Sequence, residues 1–345
     1  MNDSANNLGS SGQGFQIGRV RVEGRAVLAP MSGVTDIAMR RLARRFGASL
    51  VVTEMVAADA YARGDAANRL KAEGAGVSPH MVQIAGCEPD SMAEAARIAE
   101  DSGAAIIDIN MGCPAKKVTA GYAGSHLMRN LPLAIDLIRA TVRAVRIPVT
   151  LKMRLGWDAG SINAPELGRL AESEGIAMLT VHGRTRCQFY AGEADWTAIR
   201  AVKTAVSIPV VANGDCASLA DVDSMLEASG ADAVMIGRAA LGRPWIVGDA
   251  AHYLATGSTR AEPTRATRKD AALEHYEGIL ELFGAAQGLR HARKHLAAYA
   301  QWSGGRDALS LRRRLVTAED CKMVRSILCE TFEASCEAPL AAEAA

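Results

Sequence analysis

Seven cysteines occur in the chain, and one of them stands where chemistry could be done. Cys113 lies in Asp108-Ile109-Asn110-Met111-Gly112-Cys113-Pro114, in a turn just past an apolar run. A lone cysteine is most often a small core residue. Flanked by Gly112 and Pro114 in a loop, it reads instead as a reactive or proton-donating thiol. A second group is Thr150-Leu151-Lys152-Met153-Arg154, where period-two alternation points Lys152 and Arg154 to one side of a strand. Two cations so spaced suit the stabilisation of negative charge on a redox cofactor better than one lysine reaching for water. A third group, Asn213-Gly214-Asp215 with Gly237-Arg238, suits a phosphate: glycines let backbone N–H groups approach its oxygens, and Arg238 adds a charge-assisted contact. The bland alternative, that these glycines only turn the chain, stays open. His182, beside Arg184, is better placed for a ligand than for the core, whereas His275, His291 and His295 need no special role.

The elements that must position these residues are short β-branched runs alternating with longer amphipathic stretches, the pattern of successive βα units around a buried parallel sheet. Eight such runs can be counted: Ala26–Pro30, Leu50–Glu54, Met81–Ala85, Ala105–Asn110, Pro148–Arg154, Ala177–His182, Pro209–Asn213 and Ala233–Gly237. Eight closes a (β/α)8 TIM barrel, whose catalytic groups collect where the strands end. Those ends carry Pro30-Met31-Ser32, Glu54, Gln83, Asn110 with Cys113, Lys152 with Arg154, His182 with Arg184, and the two candidate phosphate loops. A doubly wound open sheet is disfavoured, because no strand is followed by a G-x-G-x-x-G turn and Gly9, Gly12 and Gly14 lie in a polar leader. Beyond about residue 255 the strand signals stop, and Pro263 marks a linker. Helical spacing over Ala271–Phe283, Leu289–Trp302, Leu309–Val316 and Ala318–Phe332 predicts a smaller C-terminal all-helical domain. The expected organisation is a disordered leader over 1–14, a barrel domain over 15–255, a helical domain over 261–335 and a frayed tail over 336–345.

A chain of 345 residues with 49% hydrophobic content can bury one large core and a smaller one. With 39 basic and 38 acidic residues, overall charge gives no prior for a nucleic-acid partner, so any such surface must be local. The other six cysteines, Cys87, Cys187, Cys216, Cys321, Cys329 and Cys336, form no C-x-x-C pair, which fits a reducing cytoplasm. No apolar run reaches spanning length and the leader lacks a signal-peptide core, so neither membrane nor secretion is expected; nor is a metal.

Taken in order, Ala29-Pro30-Met31-Ser32-Gly33-Val34-Thr35-Asp36, Asp108 to Pro114 with Lys116-Lys117-Val118, Val181-His182-Gly183-Arg184-Thr185-Arg186, Asn213-Gly214-Asp215 and Met235-Ile236-Gly237-Arg238 resemble the tRNA-dihydrouridine synthase family, closest to its bacterial B-type branch, from about residue 15 to 335. The resemblance implies FMN contacts at Pro30, Met31, Ser32, Gln83, Lys152, Asn213, Gly214, Asp215, Gly237 and Arg238. It implies that Cys113 is the catalytic proton donor and that Asn110, Arg154, His182 and Arg184 contact uracil or tRNA. The implied chemistry is hydride transfer from NADPH to the flavin and on to C6 of a uridine, with Cys113 protonating C5. Ser32 replaces a common alanine, and Ala298 stands where the family often has tryptophan.

A uridine in folded tRNA must leave its stack to reach such a pocket, and the helical domain would hold the rest of the molecule. Between Arg290 and Arg325 stand nine basic residues (Arg290, Arg293, Lys294, Arg306, Arg312, Arg313, Arg314, Lys322, Arg325) against Asp307, Glu319 and Asp320, interleaved with Tyr299 and Trp302. Such clustering suits phosphate binding. The rival readings are an FMN barrel acting on a free pyrimidine, of the dihydroorotate dehydrogenase kind, and a non-catalytic RNA-binding barrel.

Overall fold

The computed structural model describes residues 14–74, 76–303 and 308–333. The expected leader and tail, with Arg306, Asp307 and Cys336, fall outside these residues, save for Gly14. The chain forms two compact units: one runs to Ala240 and includes Pro244–Arg260, and the other joins Leu241–Arg243 to the segment from Ala261 onward.

The first unit opens with a hairpin absent from the sequence expectations. Strands β1 (Phe15–Ile17) and β2 (Val20–Val22) pair antiparallel around Gly18, which takes a left-handed φ of +54° that suits glycine. A Cβ on Gly18 would lie 3.0 Å from Pro148, so the turn abuts the start of a barrel strand. The remaining strands are β3 (Ala26–Leu28), β4 (Leu50–Val51), β5 (Val56–Ala57), β6 (Met81–Ala85), β7 (Ile106–Met111), β8 (Val149–Arg154), β9 (Leu179–His182), β10 (Val210–Asn213) and β11 (Ala233–Ile236). All pair parallel, in the order β4-β3-β11-β10-β9-β8-β7-β6-β5.

Strands β4 and β5 are halves of one stretch, the expected Leu50–Glu54 run. Its first half pairs with β3, Val52 bridges to Met81, and its second half pairs with β6, which closes the barrel. The ladder breaks at Thr53 because its hydroxyl, rather than a carbonyl, receives the Gln83 N–H at 3.0 Å. Glu54 then turns its carboxylate to the Gly33 N–H. Outward side chains such as Leu28, Val82, Ile84, Ile107, Ile109 and Leu151 pack on the surrounding helices. Those helices start where the sequence offers a cap: Asp36, Asn130, Asp195 and Ser218 accept N–H groups of their own first turns.

The second unit is helical, as expected. Residues Arg265–Trp302 form two helical stretches divided at Gly284, whose φ of +71° is outside the helical region, followed by helices Ala308–Thr317 and Cys321–Glu333. Its core contains Ile279, Leu289, Leu296, Leu315, Val324 and Leu328. No helix among the described residues is long and apolar enough to cross a membrane.

Candidate active site

Inside the barrel, Met81, Ile106, Met178, Val211 and Met235 form an apolar floor with Phe15, Ile17 and Val22 of the hairpin. Period-two alternation then brings polar side chains inward on the same strands. The parallel register aligns Gln83 with Asp108 and Thr150, Asn110 with Lys152 and Thr180, and Arg154 with His182 and Asn213. Buried polar groups need partners, and these find one another.

Asp108 accepts from Thr150 Oγ1 at 2.6 Å and from Gln83 Nε2 at 2.7 Å. Gln83 thereby presents Oε1 to Asn110 Nδ2 at 2.7 Å. Asn110 in turn presents Oδ1 to the N–H groups of Gly112, at 3.2 Å, and Cys113, at 2.9 Å. The amide polarity thus runs outward from a buried carboxyl group to the cysteine loop. Burial pushes the Asp108 carboxyl up, while Thr150, Gln83 and Lys152 pull it back. Cys113 itself is half-buried, and its carbonyl receives the N–H and hydroxyl of Ser125 at 3.1 and 2.9 Å. Gly124 is required beside it: φ is +61°, and a Cβ would lie 2.8 Å from the Cys113 oxygen.

Lys152 Nζ donates to Asn213 Oδ1 at 3.1 Å, and Asn213 Nδ2 donates to the Met235 carbonyl at 2.8 Å. Lys152 has no carboxylate partner among the described residues. Burial, with help from Arg154, lowers it to about 8 against the opposing pull of Asp108 and Cys113. His182 is pushed down to about 2 by burial and then by Lys152, Arg154, Arg184 and Arg238, so its ring is neutral. Its Nδ1 is buried without a partner among the described residues.

Arg154 and Arg184 are both buried. Arg154 donates from Nε to the Gly112 carbonyl at 3.0 Å and from Nη1 to those of Thr185 and Phe189 at 2.7 and 2.8 Å. Only its Nη2 lacks a bond among the described residues. Arg184, read from sequence as a substrate contact, has all three nitrogens engaged inside the protein. It grips Asp215 through both carboxylate oxygens and bonds the carbonyls of Ala191 and Gly192. Arg238 reaches the same Asp215 at 2.8 Å. Burial alone would raise the Asp215 carboxyl, but Arg184, the Ala194 N–H and Arg238 outweigh it and leave Asp215 below its ordinary value. The Asp215 side chain is therefore spent on arginines, and what it can offer an anion is backbone. Gly214 and Asp215 have φ of +121° and +56°, a tight turn at the end of β10.

The remaining predicted residues lie on the same rim. Pro30, Met31 and Ser32 form a turn after β3, held by Val34 and Thr35 N–H groups on the Met31 carbonyl at 2.9 and 3.0 Å. A Cβ on Gly237 would meet Met31 Sδ at 3.7 Å, so the loops after β3 and β11 touch. Two residues escaped the sequence reading. Asp108 orders the polar line, and Tyr190, largely exposed, lies under Arg154 and Arg238 at 5.6 and 5.0 Å from its ring centre. An aromatic residue in the polar loop Gln188-Phe189-Tyr190-Ala191-Gly192 was the available signal for the latter.

In the helical unit, Arg290, Arg312, Arg313 and Lys322 are exposed, whereas Arg314 pairs with Glu330 and Arg325 with Glu277. Tyr299, interleaved in sequence with the basic residues, is buried against His275, whose Nδ1 lies 3.0 Å from its hydroxyl. Trp302 is partly exposed, under Arg243 at 3.8 Å.

Lys152, Arg154, Arg184 and Arg238 all act on His182, and Asp215 is already claimed by two of them. A buried ammonium and a ring nitrogen that have, respectively, no counter-ion and no partner among the described residues fit an anionic ligand with hydrogen-bonding edges, and FMN has both features. A closed parallel barrel with such a mouth at the carboxyl ends of its strands is the build of a barrel enzyme.

Comparison with known proteins narrows the class. The dihydrouridine synthase (Dus) family profile matches residues 27–336. A probable tRNA-dihydrouridine synthase of Rhizobium leguminosarum bv. phaseoli is 53% identical over 313 residues, covering 91% of this chain and 96% of that one. The tRNA-dihydrouridine synthase B of Xanthomonas axonopodis pv. citri is 50% identical over 288 residues, covering 83% and 87%. Among solved structures, a variant of NCR from Zymomonas mobilis shares the fold, with TM-score 0.51 and 17% identity over 76% of this chain and 96% of that one. The chain belongs to the dihydrouridine synthase family, whose members are flavin oxidoreductases.

Proposed function

We propose that the chain reduces uridine in tRNA to 5,6-dihydrouridine, in the cytoplasm, with FMN at the barrel mouth and NADPH as the electron source. The observation that carries this reading is Cys113, a thiol on a loop pinned from the barrel interior by Asn110 and set among cations at the strand ends. Family membership and the printed names of the relatives support the substrate class.

FMN would be held by the Pro30-Met31-Ser32 turn, Gln83, Lys152, Asn213, the backbone of Gly214 and Asp215, and Gly237 with Arg238. When bound, the flavin supplies the hydride that C6 of the uracil accepts, and NADPH replenishes it. Cys113 gives its proton to C5, and Asn110 fixes the height of the thiol through the loop N–H groups. Lys152 offsets negative charge at the mouth, and Arg238 offers a charge-assisted contact to phosphate. Arg154 Nη2 and neutral His182 are the groups left to meet the uracil, while Arg184 shapes the rim through Asp215. The barrel unit would thus hold the flavin and the helical unit the body of the tRNA.

The test is dihydrouridine formation from an unmodified tRNA transcript, read by mass spectrometry, for wild type, Cys113→Ala and Cys113→Ser. Both variants are expected to retain FMN and NADPH-driven flavin bleaching but to lose about 10²–10⁴-fold in product formation, the usual worth of a positioned general acid. Serine recovers little because a hydroxyl is a far weaker acid than a thiol. Wild-type rates in Cys113→Ala would assign the proton to another group. Reduction of free uracil or orotate without tRNA would favour the pyrimidine dehydrogenase reading, and a colourless protein the non-catalytic one.

A further inference from the structure

The loops after β7, β8 and β9 carry a cluster that uridine reduction leaves unused. The guanidinium carbons of Arg129 and Arg186 lie 4.8 and 4.6 Å from the ring centre of Trp157. Arg186 also stands 4.5 Å from Phe189. His126 meets Trp157 edge-on at 5.8 Å and Tyr122 at 5.0 Å. Burial, then Arg129 and Arg186, push the His126 ring below its ordinary value. Tyr122 is the outermost member, with 63% of its surface exposed.

Three features of this rim bear on its use. Tyr122 has a φ of +56°, so a bulky side chain is kept in the left-handed region although its ring is mostly exposed. Lys116, Lys117 and Arg129 are exposed close together in the chain and form no ion pair among the described residues. Asp158, next to Trp157, turns Oδ1 to the Gly160 N–H and the Ser161 hydroxyl and forms no ion pair with these cations among the described residues. The cluster is also tied to the thiol. Gly124, two residues after Tyr122, packs so closely that a Cβ there would lie 3.2 Å from Cys113 Cβ.

We propose that this rim is a second RNA contact, on the barrel unit itself, in which Tyr122 stacks on a base next to the target uridine and Lys116, Lys117 and Arg129 take the flanking phosphates. The proposal rests on the tRNA reading and adds where the strand around the target is held. Turning a nucleotide out of its stack exposes the faces of its neighbours, and an exposed aromatic ring beside the opening replaces the lost stacking for any base. Unpaired cations around it match a polyanion.

The experiment compares flavin-loaded wild type with Tyr122→Asn, Tyr122→Phe and Arg129→Gln. Asparagine removes the ring yet tolerates left-handed backbone, so strain is not the variable. Binding of an unmodified tRNA transcript is titrated at several salt concentrations, and NADPH-driven flavin bleaching is timed without RNA. Tyr122→Asn is expected to bind tRNA about tenfold or more weakly, with Tyr122→Phe near wild type. Arg129→Gln is expected to reduce the salt slope by about 0.7–0.9, with bleaching unchanged in all three. Wild-type tRNA affinity and salt slope in every variant would overturn the proposal. So would slower bleaching with tRNA binding intact, because that result makes the cluster a nicotinamide dinucleotide site. Failure of wild type itself to bind tRNA would instead overturn the tRNA reading beneath it.

Discussion

Replacing Lys152 by methionine isolates what a buried ammonium held by an amide oxygen costs this barrel. The ammonium falls from an ordinary 10.5 to about 8, chiefly through burial. At 1.36 kcal/mol per pH unit the charged form is penalised by about 3 kcal/mol in the folded, flavin-free protein. Because the folded value lies below the unfolded one, the unfolded chain holds more protons between them, and stability from this group rises with pH across that window. Near neutral pH the penalty is fully present. Lys152→Met escapes it but strands Asn213 Oδ1, at a cost of about 1–2 kcal/mol. The variant is therefore expected to be more stable than wild type by roughly 1–2 kcal/mol near pH 7. Wild type should gain about 2 kcal/mol on it by about pH 9.5. Urea unfolding of flavin-free protein across that range measures the gap. A gap that does not change with pH would show that Lys152 keeps its ordinary proton affinity, and the account of the mouth as a desolvated cation site would fail. The same variant should bind FMN more weakly, and wild-type FMN affinity should fall as pH rises through the titration of Lys152.

Arg238→Ala is expected to lose about 1.5–3 kcal/mol of FMN affinity, roughly one to two decades, with little loss of stability because Asp215 keeps Arg184; fluorescence titration that finds unchanged affinity would remove Arg238 from the phosphate site. Neutralising Arg312 and Arg313 together, leaving Arg314 on Glu330, is expected to weaken tRNA binding and lower its salt slope by about 1.4–1.8, while NADPH-driven flavin bleaching stays normal. Unchanged tRNA affinity would place the RNA contact elsewhere.

The strand ends were legible because apolar runs alternating with amphipathic helices admit few closed solutions, and a barrel collects its polar residues at one rim. The hairpin was missed because its strands are three residues long and precede the first sustained apolar run, although Phe15-Gln16-Ile17 and Val20-Arg21-Val22 do alternate about Gly18-Arg19. Other features depend on register or on loops meeting in space. Asp108 gains its role only when β6 and β8 set Gln83 and Thr150 beside it. The grip of Arg184 and Arg238 on Asp215 joins three separate loops, which no spacing encodes. Basic residues surround Tyr299 in sequence, yet its ring belongs to the interior, where His275 supplies a partner for its hydroxyl.

The line from Thr150 through Asp108, Gln83 and Asn110 to the Cys113 loop also governs how this sequence can drift. Each amide in it is turned by the one before, so the positions form a single unit of inheritance rather than independent sites. Were Asp108 to become Asn, its new N–H₂ could turn Gln83 over, leaving Nε2 facing the Nδ2 of Asn110, donor against donor. Restoring sense would then take a further change at Asn110, which would withdraw the acceptor that holds the cysteine loop. Every single step along that route leaves a buried polar group unpaired, at about 1–3 kcal/mol each. Among descendants these positions should change in concert or stay fixed, even where a residue such as Thr150 never touches the substrate.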